Sequence, residues 1–508
     1  MIADGDSRTI ARPSTPLPSS PEQRGHIVLF AGVVLLALIL RFWRLGQWNF
    51  QATEMFTLRD SLTLKATNPR PLGYVLTHYL VGTFLPLDEF GLRLLPAVFG
   101  VLAVVALYLV CRRLLGPRAA LCGAFVLAVS PLQVMYSQLA RYWSLVFLLS
   151  AIYPYALYLG IRERDRRWLA FGLVAALLAA LAHPVAVLLL GGVALFLMAD
   201  LRRDDLTRLW NQKAVRWTVI LVAVLGAVIL VRFVPVLHGW ITMHDKNPGY
   251  GQFLRPRMPA PGMKQLIYLS IFIESLTVPV VLSALAGIVW LWQGRDRALA
   301  RFLTCLLVFH VGFLTLLSFR TSVSQYYLLP VTPVFYLGAG VFLDQLVRAE
   351  LALRPRWLLP ATVLLMIVAA GIPTLLSDMR DGRRYDFRGA AHWIAPKVGP
   401  NDIVFSDQPM VMAYYLPQHP VRHLLQELIL LKAAMGELQQ AGRGGSLWIV
   451  APAASHAYRP TMRQGGMINW IYDHCELRNN VGVGRVDFRQ NYLNIYQCAS
   501  TGASAPAS

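Results

Sequence analysis

Long apolar runs alternate along this chain with short polar segments up to about residue 376. Most of these runs approach the ~20 residues that an α-helix needs to cross a ~30 Å hydrocarbon core. The pattern therefore predicts an α-helical polytopic membrane protein with about eleven transmembrane helices. The predicted spans are 27–43, 94–111, 119–136, 142–160, 168–183, 184–199, 217–237, 270–292, 301–318, 326–347 and 357–376.

Composition agrees with this class, since 56% of the 508 residues are apolar and only 15% are charged. The net charge of +20 does not indicate nucleic-acid binding, because the Arg residues form short clusters between apolar runs and no basic stripe with interleaved aromatic rings appears. Such clusters mark cytoplasmic loops. They predict a multi-pass plasma (inner) membrane protein whose N-terminus is cytosolic. Residues 1–25 read as a disordered cytosolic tail and 26–376 as the transmembrane domain.

The apolar segment 71–87 is the exception to this reading. If it crossed the membrane, Arg112, Arg113 and every later Arg-rich loop would lie outside. We therefore expect a juxtamembrane helix at the outer interface rather than a further span.

After the last span the pattern changes, and residues 377–508 predict an extracytoplasmic, periplasmic α/β domain. Short β-rich runs at 402–406, 447–450 and 492–496 alternate with helix-like stretches at 387–397 and 421–440. Cys475 and Cys498 both lie in this domain, and an oxidising compartment would allow a disulfide between them, with two free thiols as the alternative.

Polar groups on the predicted outer face suit a substrate that carries a phosphate on a lipid and a sugar beyond it. Arg forks bind phosphate oxygens, although Arg and Tyr at a membrane surface also anchor helices. The candidates for binding this phosphate are Arg93, Arg141, Lys246, Arg255 and Arg257. The candidates for lining the substrate are Thr53, Tyr136, Gln138, Tyr142, His244, Tyr250 and Tyr326.

Glu54, in the first outer loop, is the candidate catalytic carboxylate. Partial desolvation beside lipid should raise its pKa, which suits a general base, and we expect Glu54→Gln to abolish activity while folding stays intact. The alternative is that Glu54 caps an interfacial helix at 54–66. Asp88 and Glu89 read as a solvated turn. No Cys/His pair has metal-ligand spacing, so no metal ligand is assigned, and a divalent cation stays a candidate cofactor.

Three stretches carry a resemblance to a known family: 48–57, then 68–76 followed by 91–100, and 130–142. They resemble the GT-C membrane glycosyltransferases of the family 39 type, relatives of protein mannosyltransferases and of the lipid A aminoarabinose and galacturonic acid transferases. The resemblance covers about residues 27–345.

The resemblance implies transfer of a hexose or pentose from a polyprenyl-phosphate donor to a lipid, glycan or protein acceptor of the cell envelope, on the outer side of the membrane. It also implies a catalytic carboxylate from the acidic pair of the first outer loop. Here that pair is Thr53-Glu54, and Leu139 stands where the family commonly has Glu. A lipid-linked sugar flippase and a catalytically degenerate scaffold for envelope assembly are the alternatives.

Overall fold

The computed structural model describes residues 21–64, 70–200, 216, 220, 266–294, 296–319, 323–348, 358–382, 384–424, 428–440, 445–452, 466–482 and 492–499. Most of the predicted span 217–237 lies outside these residues. So do five of the candidate site residues, namely His244, Lys246, Tyr250, Arg255 and Arg257.

Apolar helices make up most of the chain up to Asp381. In chain order they are α1 (Pro21–Phe42), α2 (Ala52–Thr63), α3 (Pro71–Leu76), α4 (Glu89–Leu115), α5 (Pro117–Val129), α6 (Pro131–Ser137), α7 (Trp143–Ser150), α8 (Tyr153–Arg162), α9 (Arg166–Ala182), α10 (Leu188–Asp200), α11 (Ile267–Leu276), α12 (Val278–Gln293), α13 (Arg297–Ser318), α14 (Thr332–Arg348) and α15 (Leu358–Asp381). A π-helical turn at Thr77–Gly82 extends α3, and 3₁₀ turns at Pro184–Val187 and Gln325–Val331 precede α10 and α14.

Six helices in the described part of the chain are long and apolar enough to cross a membrane, and two bent pairs raise this number to eight. The bent pairs are α5 with α6, at 61°, and α11 with α12, at 92°. Pro131 and Pro279 lie at the start of the second helix of each pair, where a proline cannot continue the preceding helix. The chain is thus an integral membrane protein, and the number eleven stays a prediction.

Both segments that we expected to lie along the interface are helical. The predicted helix 54–66 corresponds to α2, and the segment 71–87 contains α3 and its π-helical turn, neither of which is among the spans. One boundary was wrong, since α1 begins at Pro21 and residues 21–25 therefore belong to a helix rather than to the predicted disordered tail.

The helices of the bundle pack closely where small residues face each other. A Cβ on Gly287 in α12 would lie 1.9 Å from the carbonyl oxygen of Gly338 in α14, so the two backbones touch. Such small residues are common where membrane helices approach closely, because lipid gives no hydrophobic force that would drive helices together.

Residues 384–499 form the C-terminal domain, an α/β unit around one five-stranded sheet. Its elements are α16 (Phe387–Ile394), β1 (Ile403–Ser406), α17 (Pro409–Tyr415), β2 (Val421–His423), α18 (Leu428–Gln440), β3 (Ser446–Pro452), α19 (Met467–His474), β4 (Glu476–Val481) and β5 (Leu493–Ala499). The strand order is β2-β1-β3-β5-β4, with β1 parallel to β2 and β3, and β5 antiparallel to β3 and β4.

Alternate residues of β3 serve two different cores, as the twofold repeat of a strand requires. Trp448 and Val450 pack with Phe50, Met55 and other residues of the first loop and α2. On the opposite face of the sheet, Leu447 and Ile449 pack against α18 and α19. The central strand β3 is therefore buried on both faces of the sheet, and one of these faces joins the domain to the membrane bundle.

Two predictions for this domain have clear outcomes. The disulfide between Cys475 and Cys498 is confirmed, and it joins the residue between α19 and β4 to strand β5. The helix predicted over 421–440 is wrong at its start, because Val421–His423 pairs in parallel with β1 as an edge strand and the helix begins only at Leu428. Pro420 signals this, since the residue after a helix-breaking proline can readily begin an edge strand.

Candidate functional site

Glu54 lies in the first turn of α2 and is fully buried. Its Oε2 accepts the backbone N–H of Gln51 at 2.8 Å, so the side chain reaches back and caps its own helix. This contact agrees with the alternative that we considered for Glu54.

Two guanidinium groups enclose the same carboxylate. Arg93 of α4 donates from Nε to Oε1 at 2.9 Å and from Nη2 to Oε2 at 3.1 Å. Arg384 of the C-terminal domain donates from Nη1 to Oε2 at 2.9 Å, and the backbone N–H of Ala140 reaches Oε1 at 2.8 Å. Five donors thus converge on two oxygens, and Glu54 joins the first loop, α4, the segment before α7 and the C-terminal domain.

The expectation of a raised pKa at Glu54 is wrong. Burial by itself would raise it, but the charges of Arg384 and Arg93 and the hydrogen bonds from Arg93 and Ala140 lower the pKa of Glu54 to about 2. A carboxylate with so low a pKa is a weak base at neutral pH. A cavity lies beside this cluster, and Glu54 is absent from its described lining. The geometry favours a structural role for this residue.

Arg93, a candidate phosphate ligand, is also fully engaged. Besides Glu54 it donates to the carbonyl oxygens of Leu45, Trp48 and Asn49 at 3.0, 2.8 and 2.9 Å. Its side chain is buried, and it does not line the cavity. Its donors already bind Glu54 and the first loop, so this geometry does not favour the assignment of Arg93 to the donor phosphate, which stays a prediction.

Arg384 was missed by the sequence reasoning. It donates to the carbonyl oxygens of Asn49 and Gln138 at 2.7 and 3.1 Å as well as to Glu54. Burial and the nearby charge of Arg93 lower its pKa to about 10 against the opposing effect of Glu54, so it stays protonated at neutral pH. The available signal was its position just after the last apolar run.

Gly382 explains how Arg384 reaches this place. It ends α15 with φ of +63°, a left-handed conformation that favours glycine. A Cβ on Gly382 would lie 2.8 Å from the indole of Trp48, so only a residue without a side chain lets the backbone pass here. Two residues later, Arg384 enters the cluster with Glu54.

Beside this cluster lies a cavity of about 310 Å³ at the end of the bundle that carries the C-terminal domain. Its lining combines guanidinium groups, aromatic rings and a carboxylate. The lining residues are Trp48, Gln51, Thr53, Arg70, Met135, Tyr136, Gln138, Leu139, Arg141, Tyr142, Trp143, Tyr326, Tyr327, Asp378, Gly382 and Arg384.

Arg141 and Arg70 flank one ring of this lining. Arg141 donates to the carbonyl oxygen of Thr53 at 3.0 Å, and its guanidinium lies 4.7 Å from the ring centre of Tyr142. Arg70 donates to the hydroxyl of the same tyrosine at 2.6 Å and lies 5.2 Å from the ring centre. Two cations are thus held on one aromatic residue at the cavity wall, where an anionic group could bind.

Aromatic rings form the apolar side of the cavity. Trp143 lies 4.8 Å from Tyr326 and 4.7 Å from His183, centre to centre, and His183 lies 5.0 Å from Tyr142. The Nδ1 of His183 accepts the backbone N–H of Val185, which agrees with a packing residue at a helix end. Such a surface fits the flat face of a sugar or an isoprenoid chain.

The structure thus brings together Thr53, Tyr136, Gln138, Tyr142 and Tyr326, all of which we proposed as substrate-lining. Their contact with a substrate stays a prediction. Arg141 shares this lining, whereas Glu54 lies behind it.

The reading of Asp88 and Glu89 as a solvated turn is wrong. Asp88 caps α4 by accepting the backbone N–H groups of Phe90 and Gly91. Glu89 is mostly buried and pairs with Arg388 of the C-terminal domain. Its carboxylate also accepts the hydroxyl of Tyr415 at 2.6 Å. Both acids therefore have structural partners.

Metal binding was left open by the sequence. Within the part of the chain that the structure describes, no group of three or more His, Cys, Asp or Glu residues is placed to hold a metal ion. His78 hydrogen-bonds the carbonyl oxygen of Ser61 at 2.7 Å. A divalent cation stays a prediction.

Comparisons with known proteins agree with the resemblance stated above. Residues 71–238, about a third of the chain, match the family model described as dolichyl-phosphate-mannose-protein mannosyltransferase. No match is found among curated proteins.

Among solved structures, ArnT from Cupriavidus metallidurans bound to undecaprenyl phosphate is 15% identical, with a TM-score of 0.57. The match covers 95% of this chain and 99% of that one. The apo oligosaccharyltransferase from Archaeoglobus fulgidus is 11% identical with a TM-score of 0.54, over 84% of this chain and 70% of that one. At these identities the likeness shows a common fold.

Proposed function

We propose that this chain, a GT-C glycosyltransferase that resembles the family 39 enzymes, moves a sugar from a polyprenyl-phosphate donor to an acceptor of the cell envelope. The cavity is the main observation that supports this proposal. It combines the guanidinium groups of Arg70, Arg141 and Arg384 with a wall of aromatic rings at one end of an apolar bundle. The match of 71–238 to a family that uses a lipid phosphate-linked sugar, and the likeness to a structure that binds undecaprenyl phosphate, support it.

The acceptor oxygen attacks the anomeric carbon while the bond between that carbon and the phosphate oxygen breaks. The bonding electrons pass to the leaving polyprenyl phosphate, which gains a negative charge. Arg70 and Arg141 are placed to stabilise that charge, because cations fixed before the reaction need no reorganisation as the charge develops. Trp143 and Tyr326 would hold the sugar or the first isoprene units.

We place the cavity and the C-terminal domain on the extracytoplasmic side, with the N-terminus in the cytosol. The Arg-rich loops support this orientation. The disulfide between Cys475 and Cys498 supports it too, because disulfides persist in oxidising compartments.

A flippase is the second candidate, and the contacts of two buried ionisable groups speak against it. A transporter of charged cargo is expected to use ionisable groups within its spans. Arg41 in α1 instead donates to the carbonyl oxygens of Ala128 and Leu127 at 3.0 and 3.2 Å, and His310 in α13 hydrogen-bonds the carbonyl oxygen of Tyr327 at 2.8 Å. These two groups are held by the bundle itself.

The test uses the full chain in lipid nanodiscs with a panel of polyprenyl-phosphate hexoses and pentoses. Donor binding and release of free polyprenyl phosphate are measured. Removal of one such stabilising donor typically costs ~10²–10³ in kcat, and we expect a loss of this order for Arg141→Ala. Arg141→Lys keeps the charge but loses the planar fork, so its kcat should lie between that of the unaltered chain and that of Arg141→Ala.

Arg478→Ala is the matched control, since Arg478 is an exposed arginine of β4 that is absent from the described cavity lining. It should bind and turn over donor like the unaltered chain. Donor binding and turnover unaffected by Arg141→Ala would refute the phosphate assignment. Movement of labelled lipid across the bilayer without release of sugar would favour the flippase.

A further inference from the structure

Asp378 is the single carboxylate among the described residues that line the cavity. It lies in the last turn of α15 and is 3% exposed. The C-terminal end of a helix carries partial negative charge, so a carboxylate is disfavoured there by the helix itself. A buried acid at such a position, facing a cavity, is the kind of group that catalysis uses.

Among the described residues of the lining, no other side chain can take up a proton from an acceptor at neutral pH. Thr53 offers a hydroxyl, which is no base at neutral pH, and Leu139 is apolar. Glu54 lies behind the lining with five donors on its two oxygens. The described lining therefore places one proton acceptor beside its cations.

A cation shares the cavity with this acid. The positive charge of Arg384 acts on Asp378, and the two residues line the same cavity on either side of the turn at Gly382. Glu54 fixes Arg384 in place at 2.9 Å. The cluster around Glu54 thus positions the cation that acts on Asp378.

We infer that Asp378 accepts the proton of the acceptor, and that the acceptor group is an alcohol rather than a phosphate; this inference rests on the proposed function. An alcohol must lose its proton as its oxygen attacks, whereas a phosphate is already an anion at neutral pH and would be repelled by Asp378. In the step, the alcohol proton moves to the carboxylate of Asp378 and the alcohol oxygen bonds the anomeric carbon. The carbon–oxygen bond to phosphate breaks, and its electron pair leaves with the polyprenyl phosphate.

The experiment compares nucleophiles that differ in whether they carry a proton. The full chain in nanodiscs is given a polyprenyl-phosphate sugar that it turns over, with either methanol or sodium azide as the acceptor. General-base assistance is typically worth ~10²–10⁴ in rate, so Asp378→Asn should lose a factor of this order with methanol. Azide has no proton to lose and is itself an anion that Asp378 repels, so with azide Asp378→Asn should react at least as fast as the unaltered chain and give the glycosyl azide.

Two further variants provide a control and a rescue. Asp473→Asn is the matched control, because Asp473 is exposed on α19 and is absent from the cavity lining, and it should change neither reaction. Thr53→Asp combined with Asp378→Asn should recover part of the methanol reaction, since position 53 lines the same cavity.

Equal loss with methanol and azide would make Asp378 a structural residue and overturn the inference. Undiminished transfer to methanol in Asp378→Asn would overturn it as well. If the unaltered chain neither binds nor turns over any donor, the proposed function itself fails, and the inference falls with it. That failure is visible before any substitution is made.

Discussion

Glu54→Gln tests the structural role of the buried carboxylate. At Oε1 the amide nitrogen would face the N–H groups of Arg93 Nε and Ala140, and at Oε2 it would face three donors. The less unfavourable orientation therefore leaves two buried N–H groups without an acceptor, each costing ~1–3 kcal/mol. The two positive guanidinium groups of Arg93 and Arg384 also lose the negative carboxylate that compensates them.

Breaking a buried ion pair by removing one partner typically costs ~3–5 kcal/mol, and we expect a destabilisation of this size. Because Arg384 enters the cluster from the C-terminal domain, that domain should loosen from the bundle first. The assay is denaturant unfolding in detergent or nanodiscs, together with limited proteolysis between α15 and α16. Activity should fall along with stability.

A matched control is Glu437→Gln, which removes an exposed glutamate paired with Arg422 at 2.8 Å on the surface of the C-terminal domain. Surface pairs of this kind contribute little, so stability should stay close to that of the unaltered chain. Adding Arg384→Met to Glu54→Gln should restore part of the lost stability, since it removes one of the two uncompensated charges. A Glu54→Gln protein that is as stable and protease-resistant as the unaltered chain but inactive would refute this reasoning and restore Glu54 as the catalytic carboxylate.

Three further predictions concern pH, the disulfide and metal ions. The pKa of Glu54 falls from 4.5 to about 2 on folding, so ionised Glu54 contributes about 3 kcal/mol to the free energy of unfolding. This contribution is complete above pH ~4.5 and is lost as the pH falls towards ~2. Unfolding measured as a function of acid pH should show the loss, and Glu54→Gln should abolish it. Cys475→Ser with Cys498→Ser should cost roughly 2–4 kcal/mol in the C-terminal domain and leave donor binding unchanged, because neither cysteine lines the cavity; equal stability of the two proteins would contradict this. Transfer should persist in EDTA, since guanidinium groups of the cavity already meet the phosphate charge; activity lost in EDTA and restored by Mg²⁺ would instead assign a divalent cation to the site.

The sequence predicted the fold well where the physical signal is local. Apolar runs of sufficient length indicated a membrane bundle, of which the described part of the chain contains six to eight candidate spans, and alternation in the C-terminal part indicated three of its strands. Val421–His423 escaped because a three-residue edge strand is defined by its partner β1 rather than by its own pattern.

The candidate site was harder to predict, because the orientation of a side chain depends on partners far along the chain. Thr53 and Glu54 are neighbours on α2, and successive helix residues point about 100° apart. One of them can face the cavity, and it is Thr53. Glu54 turns instead to Arg93 and to Arg384, which lies 330 positions away. No local sequence pattern predicts that pairing. Thr53, which stands where the resembled family has an acid, is the residue of the two that lines the cavity.

The charges of the cavity give a reason for an acid at its edge. Arg70, Arg141 and Arg384 supply three positive charges, and Asp378 supplies one negative charge. Behind the lining, the charges of Glu54 and Arg93 offset each other. During transfer the phosphate gains one negative charge as the sugar leaves it, and the proton taken up by Asp378 removes one negative charge from the same space. The net charge of the filled cavity therefore stays constant through the step, so the low-dielectric surroundings do not have to accommodate a new charge. A phosphate acceptor would bring its own negative charge towards Asp378 without any proton to neutralise it, which is why this arrangement favours an alcohol.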